Sequence, residues 1–285
     1  MTFYAQNALN GLAYGSLLFM IAAGFTLIFG LMRIVNIAQT AFFLIGAYIG
    51  LMLLHAGVPF WIAAALAGAA VMAAGLLIYR VFLHRYHADE LTALLLTLGF
   101  ALMLDDLALA AWGGDPQSVP PPPAFASSVQ LGPLVFPAYW LTLIVLSALV
   151  AAGLRLLERR TMLGAVIRAG VDDEEMTRGL GINIDRAFYV VFALGAFLAG
   201  AGGVLGSPIT GAYPGLDGDL LPLAFAVIII GGIGSLEGAY VGSLIIGLVS
   251  TFGKALFPEL SYFTIFVPVA AIMALRPQGL LGRKR

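Results

Sequence analysis

The chain has no cysteine. Disulfides, thiolate nucleophiles and thiolate metal sites are excluded, and nothing follows about compartment. Charge is scarce: 10% of the 285 residues are Asp, Glu, Lys or Arg, against about 25% in a soluble domain. A net charge of −1 implies no polyanion-binding surface, and no nucleic acid is expected as a partner. No G-x-x-x-x-G-K-[ST] occurs. Gly253-Lys254 is followed by Ala255 and lacks the upstream glycine, so this chain is not expected to hydrolyse ATP itself. No Ser-His-Asp or intramembrane protease constellation is present, and no catalytic residue is assigned. His84 and His87 make an H-x-x-H with only Asp89 and Glu90 nearby, which reads as a polar turn and not as a metal site. Residues 1–7 lack a basic leader, and no small-residue cleavage site stands before Arg33. The first apolar segment is therefore expected to be a retained helix.

What the chain has in abundance is apolar sequence, 61% of it, in long uncharged runs. Continuous runs point to helices and not to the alternating pattern of a barrel strand. The expectation is an all-α, polytopic transmembrane helical bundle forming a single transmembrane domain over residues 1–285. Spans are predicted over Asn7–Gly30, Ile37–Leu54, Trp61–Leu83, Leu91–Trp112, Ala138–Leu157, Ala187–Leu205, Ala239–Phe252 and Tyr262–Leu275. Leu220–Ile230 is short for a span and runs into Gly231-Gly232-Ile233-Gly234-Ser235, which suggests a re-entrant or broken helix. Eight or nine membrane segments result, depending on whether that stretch crosses. Residues 113–137, with four consecutive prolines at Pro120–Pro123, read as an irregular or extended external loop.

Twelve of the 14 Lys and Arg residues lie in Arg80–Arg85, Arg155–Arg186 and Arg276–Arg285, and the loops at 55–60, 113–137 and 206–219 hold none. The positive-inside rule puts the first three places, and the C-terminus, in the cytoplasm. The longest polar run is Glu158–Arg186. Asp172 as N-cap and Glu175 three residues on suggest a short surface helix over Asp173–Arg178, stopped by Gly179 and Gly181. Such a segment is either a plain connection or a docking helix for a soluble partner.

Several smaller features stand out. Gly11 and Gly15 form a GxxxG in the first span. Gly46-Ala47-Tyr48-Ile49-Gly50 returns as Gly238-Ala239-Tyr240-Val241-Gly242, a short internal repeat of the kind transporters contain. Asn36, Gln39 and Thr40 form a polar opening to the second span. Asp105 and Asp106 sit about 9–10 Å of helix rise inside Trp112. Carboxylates at that depth face a cavity or a partner, unless the helix ends early and leaves them at the surface. Gly231, Gly232, Gly234 and Ser235 make either an unwound segment lining a pathway or a tight turn between helices. These nine residues are the candidates for a substrate pathway.

Four stretches carry a family resemblance. They are Gly24-Phe-Thr-Leu-Ile-Phe-Gly-Leu-Met-Arg-Ile-Val-Asn36, Phe43-Leu-Ile-Gly-Ala-Tyr48, Arg168-Ala169 through Gly181-Ile182-Asn183 with Ala199–Leu205, and Ala224-Phe225 through Ser235 and Gly238-Ala239. The tail Arg276-Pro277-Gln278-Gly279-Leu280 also fits. In this order the chain resembles the inner-membrane permeases of branched-chain amino acid ABC importers, the shorter LivH-type subunit. The resemblance implies a multi-pass subunit of the bacterial inner membrane, paired with a second homologous permease or with itself. It implies two cytoplasmic ABC ATPases, which use the ATP and dock around Arg168–Asn183, with Arg168, Ala169, Asp172, Glu175, Gly181 and Asn183 as coupling residues. It also implies a periplasmic substrate-binding protein, and no cofactor on this chain. One departure is plain. Where the family commonly has a Phe-Ala-His-Gly-Glu-like run after Asn36, this chain has Ile37-Ala38-Gln39-Thr40-Ala41, so the solute is a branched-chain amino acid or a related amino acid, amide or organic acid. An ion-coupled secondary transporter using Asp105 and Asp106 is the alternative from another class.

Overall fold

A computed structural model describes residues 2–86, 89–131 and 134–282. His87 of the H-x-x-H and the last three basic residues of the tail lie outside the described residues. The chain forms helices α1 (Thr2–Met32), α2 (Ala38–His55) and α3 (Phe60–Ile78). A π-turn over Tyr79–Leu83 leads from α3 into α4 (His84–Tyr86), and α5 (Glu90–Trp112) follows. Next come a short hairpin, β1 (Ser128–Leu131) with β2 (Leu134–Pro137), then α6 (Ala138–Arg160), α7 (Met162–Asp172), α8 (Glu174–Gly179) and α9 (Ile184–Thr210). The chain closes with α10 (Leu216–Gly231), α11 (Leu236–Leu256) and α12 (Ser261–Leu275). Among the described residues, seven helices are long and apolar enough to cross a membrane.

α10 and α12, of 16 and 15 residues, are shorter than those seven. α10 begins where the Gly215 N–H donates to Asp105 near the far end of α5. It ends where the N–H groups of Leu280 and Leu281 donate to Ile230 and Gly231 carbonyls. The stretch 220–230 lies within the single helix α10, which carries Pro222 inside it and starts beside Asp105, seven residues before the end of α5. The 113–137 loop is also more ordered than expected. It folds a 3₁₀ turn over Pro123–Phe125 and the antiparallel hairpin, with Ser128 opposite Pro137.

α1 is the hub. Of its most apolar 18-residue stretch 89% is buried, against 22% for α5 and 17% for α6. With lipid outside, association cannot rest on a hydrophobic gradient, so close backbone approach through small residues takes over. A Cβ on Gly15 would meet the Ser243 carbonyl oxygen at 2.6 Å and the Leu244 Cα at 2.8 Å, and one on Gly11 the Leu248 Cα at 2.8 Å. The GxxxG of the first span is thus the seam between α1 and α11. The internal repeat has the same use twice: Gly46 lies against Gly200 and Gly50 against Val204, while Gly238 lies against Gly231 and Gly242 against the Val227 carbonyl. α2 meets α9 through one copy, and α11 meets α10 through the other.

Asp89 precedes α5, and its carboxylate accepts from the Thr92 N–H and hydroxyl. Those hydrogen bonds hold the Asp89 carboxyl below its usual range.

Candidate functional site

The longest run of charged side chains lies where α6 gives way to α7 and α8. Thr161 ends α6 in an extended conformation and caps α7 by accepting the Gly164 N–H at 3.1 Å. Arg168 reaches back from α7 to the Glu158 carbonyl at the end of α6. Gly170 packs against Ile184, so α7 also touches the start of α9. The result is an elbow of two short helices where a single short helix was expected. The cap of α8 is Asp173, which accepts the Met176 N–H at 2.9 Å, and not Asp172, which is the last residue of α7. Glu175 makes no capping box and stands exposed. The signal for α7 was present in 162–172, where apolar residues recur at helical spacing between Thr161 and Asp172; the sequence reading took it as part of a loop.

Arg178 fastens the elbow to α9. Its guanidinium donates to both Asp185 carboxylate oxygens, at 3.1 and 2.7 Å, and to Glu174 at 3.1 Å. These groups are about two-fifths exposed, so the fork contributes at most about 1 kcal/mol. Asn183 caps α9 by accepting the Arg186 N–H. Ala169 is half-buried, while Asp172, Glu175, Gly181 and Asn183 are exposed. The same elbow exposes large apolar side chains: Met162 is 82%, Met176 63% and Leu180 72% exposed.

Beside the elbow lies a cavity of about 1160 Å³, lined among others by Thr26, Arg33, Arg168, Gly234, Ser235 and Gln278. The Gly231–Ser235 stretch turns the chain; Ile233, Gly234 and Ser235 border this space, while Gly231 and Gly232 are buried against Gly238 and Gly282. Gly232 (φ +99°) and Gly234 (φ +76°) occupy the left-handed region that favours glycine. Ser235 then caps α11 by accepting the Gly238 N–H. Arg155 and Arg159 pair with Glu237 at 2.9 and 2.6 Å, which ties α6 to the start of α11.

The remaining pathway candidates divide. Asn36, Gln39 and Thr40 are fully buried. Gln39 donates its amide N–H to the Gly195 carbonyl at 2.8 Å, with Gly24 leaving the room, so it clasps α1, α2 and α9 together. The Thr97 hydroxyl accepts the Ile37 N–H and donates to the Val35 or Leu94 carbonyl, joining α5 to the same junction. Asp105 and Asp106 belong to a helix that continues to Trp112, so neither marks an early end. They point to different sides. Asp105 accepts the Gly215 N–H at 2.8 Å and meets the buried Asp217 carboxyl within hydrogen-bond reach. Asp106 is exposed and makes no hydrogen bond or ion pair with any described residue. Asp217 was missed by sequence reading; it stood only as one acid in a loop without a base.

Among the described residues no cluster of three His, Cys, Asp or Glu could hold a metal ion.

Residues 7–274 match the model of a family described as branched-chain amino acid transport system / permease component. The chain is similar to the high-affinity branched-chain amino acid transport system permease protein BraD of Pseudomonas aeruginosa, at 29% identity over 98% of this chain and 96% of that protein. It is similar at the same identity to the permease protein LivH of Escherichia coli K12, over 99% of this chain and 96% of that one. It also resembles the permease protein LivM of Salmonella typhimurium, at 28% identity over 92% of this chain and 67% of LivM. With these matches, the chain belongs to the permease-component family of branched-chain amino acid transport systems.

Proposed function

We propose that this chain is the pore-forming subunit of an ATP-driven importer for branched-chain or related amino acids, or other small polar solutes. ATP is hydrolysed on two separate cytoplasmic ATPase chains, and the 158–186 segment is their docking and coupling face. The observation that carries this reading is the elbow: two short helices, fastened to α6 and α9 by Arg168 and Arg178, hold exposed Met162, Met176 and Leu180 toward solvent. A connection needed only to join two spans has no use for an exposed apolar patch. A movement of the elbow is transmitted directly to α6 and α9, whose packing against α1 surrounds the junction held by Gln39.

In this reading the chain sits in the bacterial inner membrane with the basic end, the elbow and the C-terminal tail in the cytoplasm. It pairs with a second permease, and a periplasmic binding protein delivers solute at the opposite end. Asp105 and Asp106 flank the entry side of the path. Gly234 and Ser235 border the exit, Gly231 and Gly232 pack behind them, and Asn36, Gln39 and Thr40 hold the wall between. Gln39, Thr40 and Ala41 stand where the resembling family commonly has His, Gly and Glu, so the solute range includes related amino acids, amides and organic acids beside branched-chain amino acids.

Mild-detergent purification of the native complex tests this, with partners identified by mass. P-loop ATPases that co-purify, and are lost when Arg168–Asn183 is replaced by a flexible linker, support it. A chain that purifies alone and transports without ATP overturns it.

A further inference from the structure

α6 and the start of α11 leave a groove between them that neither the elbow nor the solute path uses. Its volume is about 530 Å³. One end is charged. Arg155, Arg159 and Arg160, in the last two turns of α6, line it together with Glu237 from the first turn of α11. Three guanidiniums meet one carboxylate, so the lining keeps a positive excess. The other end is apolar, with Ala148, Ala151 and Ala152 of α6 beside Val241 of α11. From Ala148 to Arg160 the groove follows α6 for about 18 Å of helix rise.

The charged end is held in place. Arg155 and Arg159 stand four residues apart, on one face of the helix. Both donate to the same Glu237 oxygen, Oε1, at 2.9 and 2.6 Å. That anchors the two side chains, yet they stay 53% and 57% exposed and open to a ligand. A guanidinium carries five N–H donors, so each keeps donors to spare. Arg160 pairs with no carboxylate among the described residues.

An occupant of this groove has to match both ends. α6 is an apolar span that is little buried, and Val145 and Leu149 stand exposed next to Ala148. Those side chains lie at bilayer depth, out of reach of a soluble protein. A free anion would meet the arginines and leave the alanine end empty. A zwitterionic lipid would fill the alanine end and leave the positive excess unmatched. An anionic phospholipid matches both, as basic pockets between membrane helices do for such head groups. We propose that the α6–α11 groove binds one anionic phospholipid, its phosphate on Arg155, Arg159 and Arg160 and the start of an acyl chain along Ala148, Ala151 and Ala152. Bound there, it braces the end of α6 from which α7 hangs. This site does not depend on the importer reading.

The test strips lipid from the chain, purified in detergent with the partners it retains. Phosphatidylglycerol or phosphatidylcholine is then titrated in, and bound lipid is counted by native mass spectrometry. The expected result is one phosphatidylglycerol for each copy of this chain, held at least tenfold more tightly than phosphatidylcholine. Two variants at exposed positions place it. Arg160→Gln breaks no ion pair among the described residues and should weaken phosphatidylglycerol about fivefold, with phosphatidylcholine unchanged. Ala152→Trp fills the apolar end, keeps every arginine, and should weaken phosphatidylglycerol tenfold or more. Thermal unfolding of both variants should match the parent. Equal affinity for the two lipids would overturn the proposal. Phosphatidylglycerol binding unchanged in either variant would overturn the groove as its site. Displacement by inorganic phosphate at constant ionic strength would make this an anion site and not a lipid site. A preparation with partners that binds no phosphatidylglycerol, while the chain alone binds it, would show that a protein covers the groove and would equally overturn the proposal.

Discussion

Replacing Met176 and Leu180 together by serine should detach the ATPases while leaving the permease folded. Both side chains project from the elbow, 63% and 72% exposed. Fully burying one such side chain is worth about 1.5–3 kcal/mol. Roughly two-thirds of that remains available for docking, or about 1–2 kcal/mol each. The pair together then supplies about 2–4 kcal/mol, which corresponds to a loss of affinity between about 30-fold and about 1000-fold. The lower end is the safer expectation, since part of any interface energy is spent on ordering. The assay is a titration of purified ATPase subunits against the detergent-solubilised permease, beside Glu175→Gln, an exposed neighbour without apolar area, as control. The double variant should weaken binding at least 30-fold, the control by less than about threefold. Affinity within twofold of the parent for the double variant would refute the claim that this patch is the docking face.

Four other outcomes are expected. Gly15→Val drives side-chain atoms into the α11 backbone at Ser243 and Leu244 and should destabilise the chain by about 1–3 kcal/mol or more in a detergent unfolding assay. Gly153→Ala on α6, where a Cβ meets nothing within 4 Å, should be neutral or stabilising by up to about 1 kcal/mol in the same assay. Gln39→Leu removes the amide bond to Gly195 and should cost about 0.6–1.7 kcal/mol; an unaltered unfolding midpoint with a changed solute range would instead make Gln39 a contact to solute. Asp105→Asn keeps an acceptor for the Gly215 N–H and removes the like charge beside Asp217. Its unfolding midpoint at neutral pH should therefore not fall, and uptake unchanged in rate and solute range would remove Asp105 from the path.

The fold was legible where it depends on long apolar runs and on small residues at fixed spacing. The spans, the Gly11–Gly15 seam and both copies of the glycine repeat could be read directly, because backbone contact in a membrane leaves few residue choices. The start of α10 was not legible, because Leu216–Asp219, whose acids belong to its first turn, read as loop. The elbow was half-read: the charges of 172–178 announced α8, but the sparser polarity of 162–172 hid α7. At the aspartates the sequence showed depth but not direction. Adjacent helix positions differ by about 100°, so one carboxylate turns into the α5–α10 contact and the other away from it. That difference depends on how α5 is rotated against α2 and α10, which no local pattern reports.

The most direct measurement is solute uptake into proteoliposomes containing this chain, its partner permease and the ATPases, with the binding protein supplied outside. Uptake of a branched-chain or related amino acid that requires ATP and stops with the Met176, Leu180 double variant is the predicted result. Uptake by this chain without ATPases, driven by a proton or sodium gradient, would contradict the account.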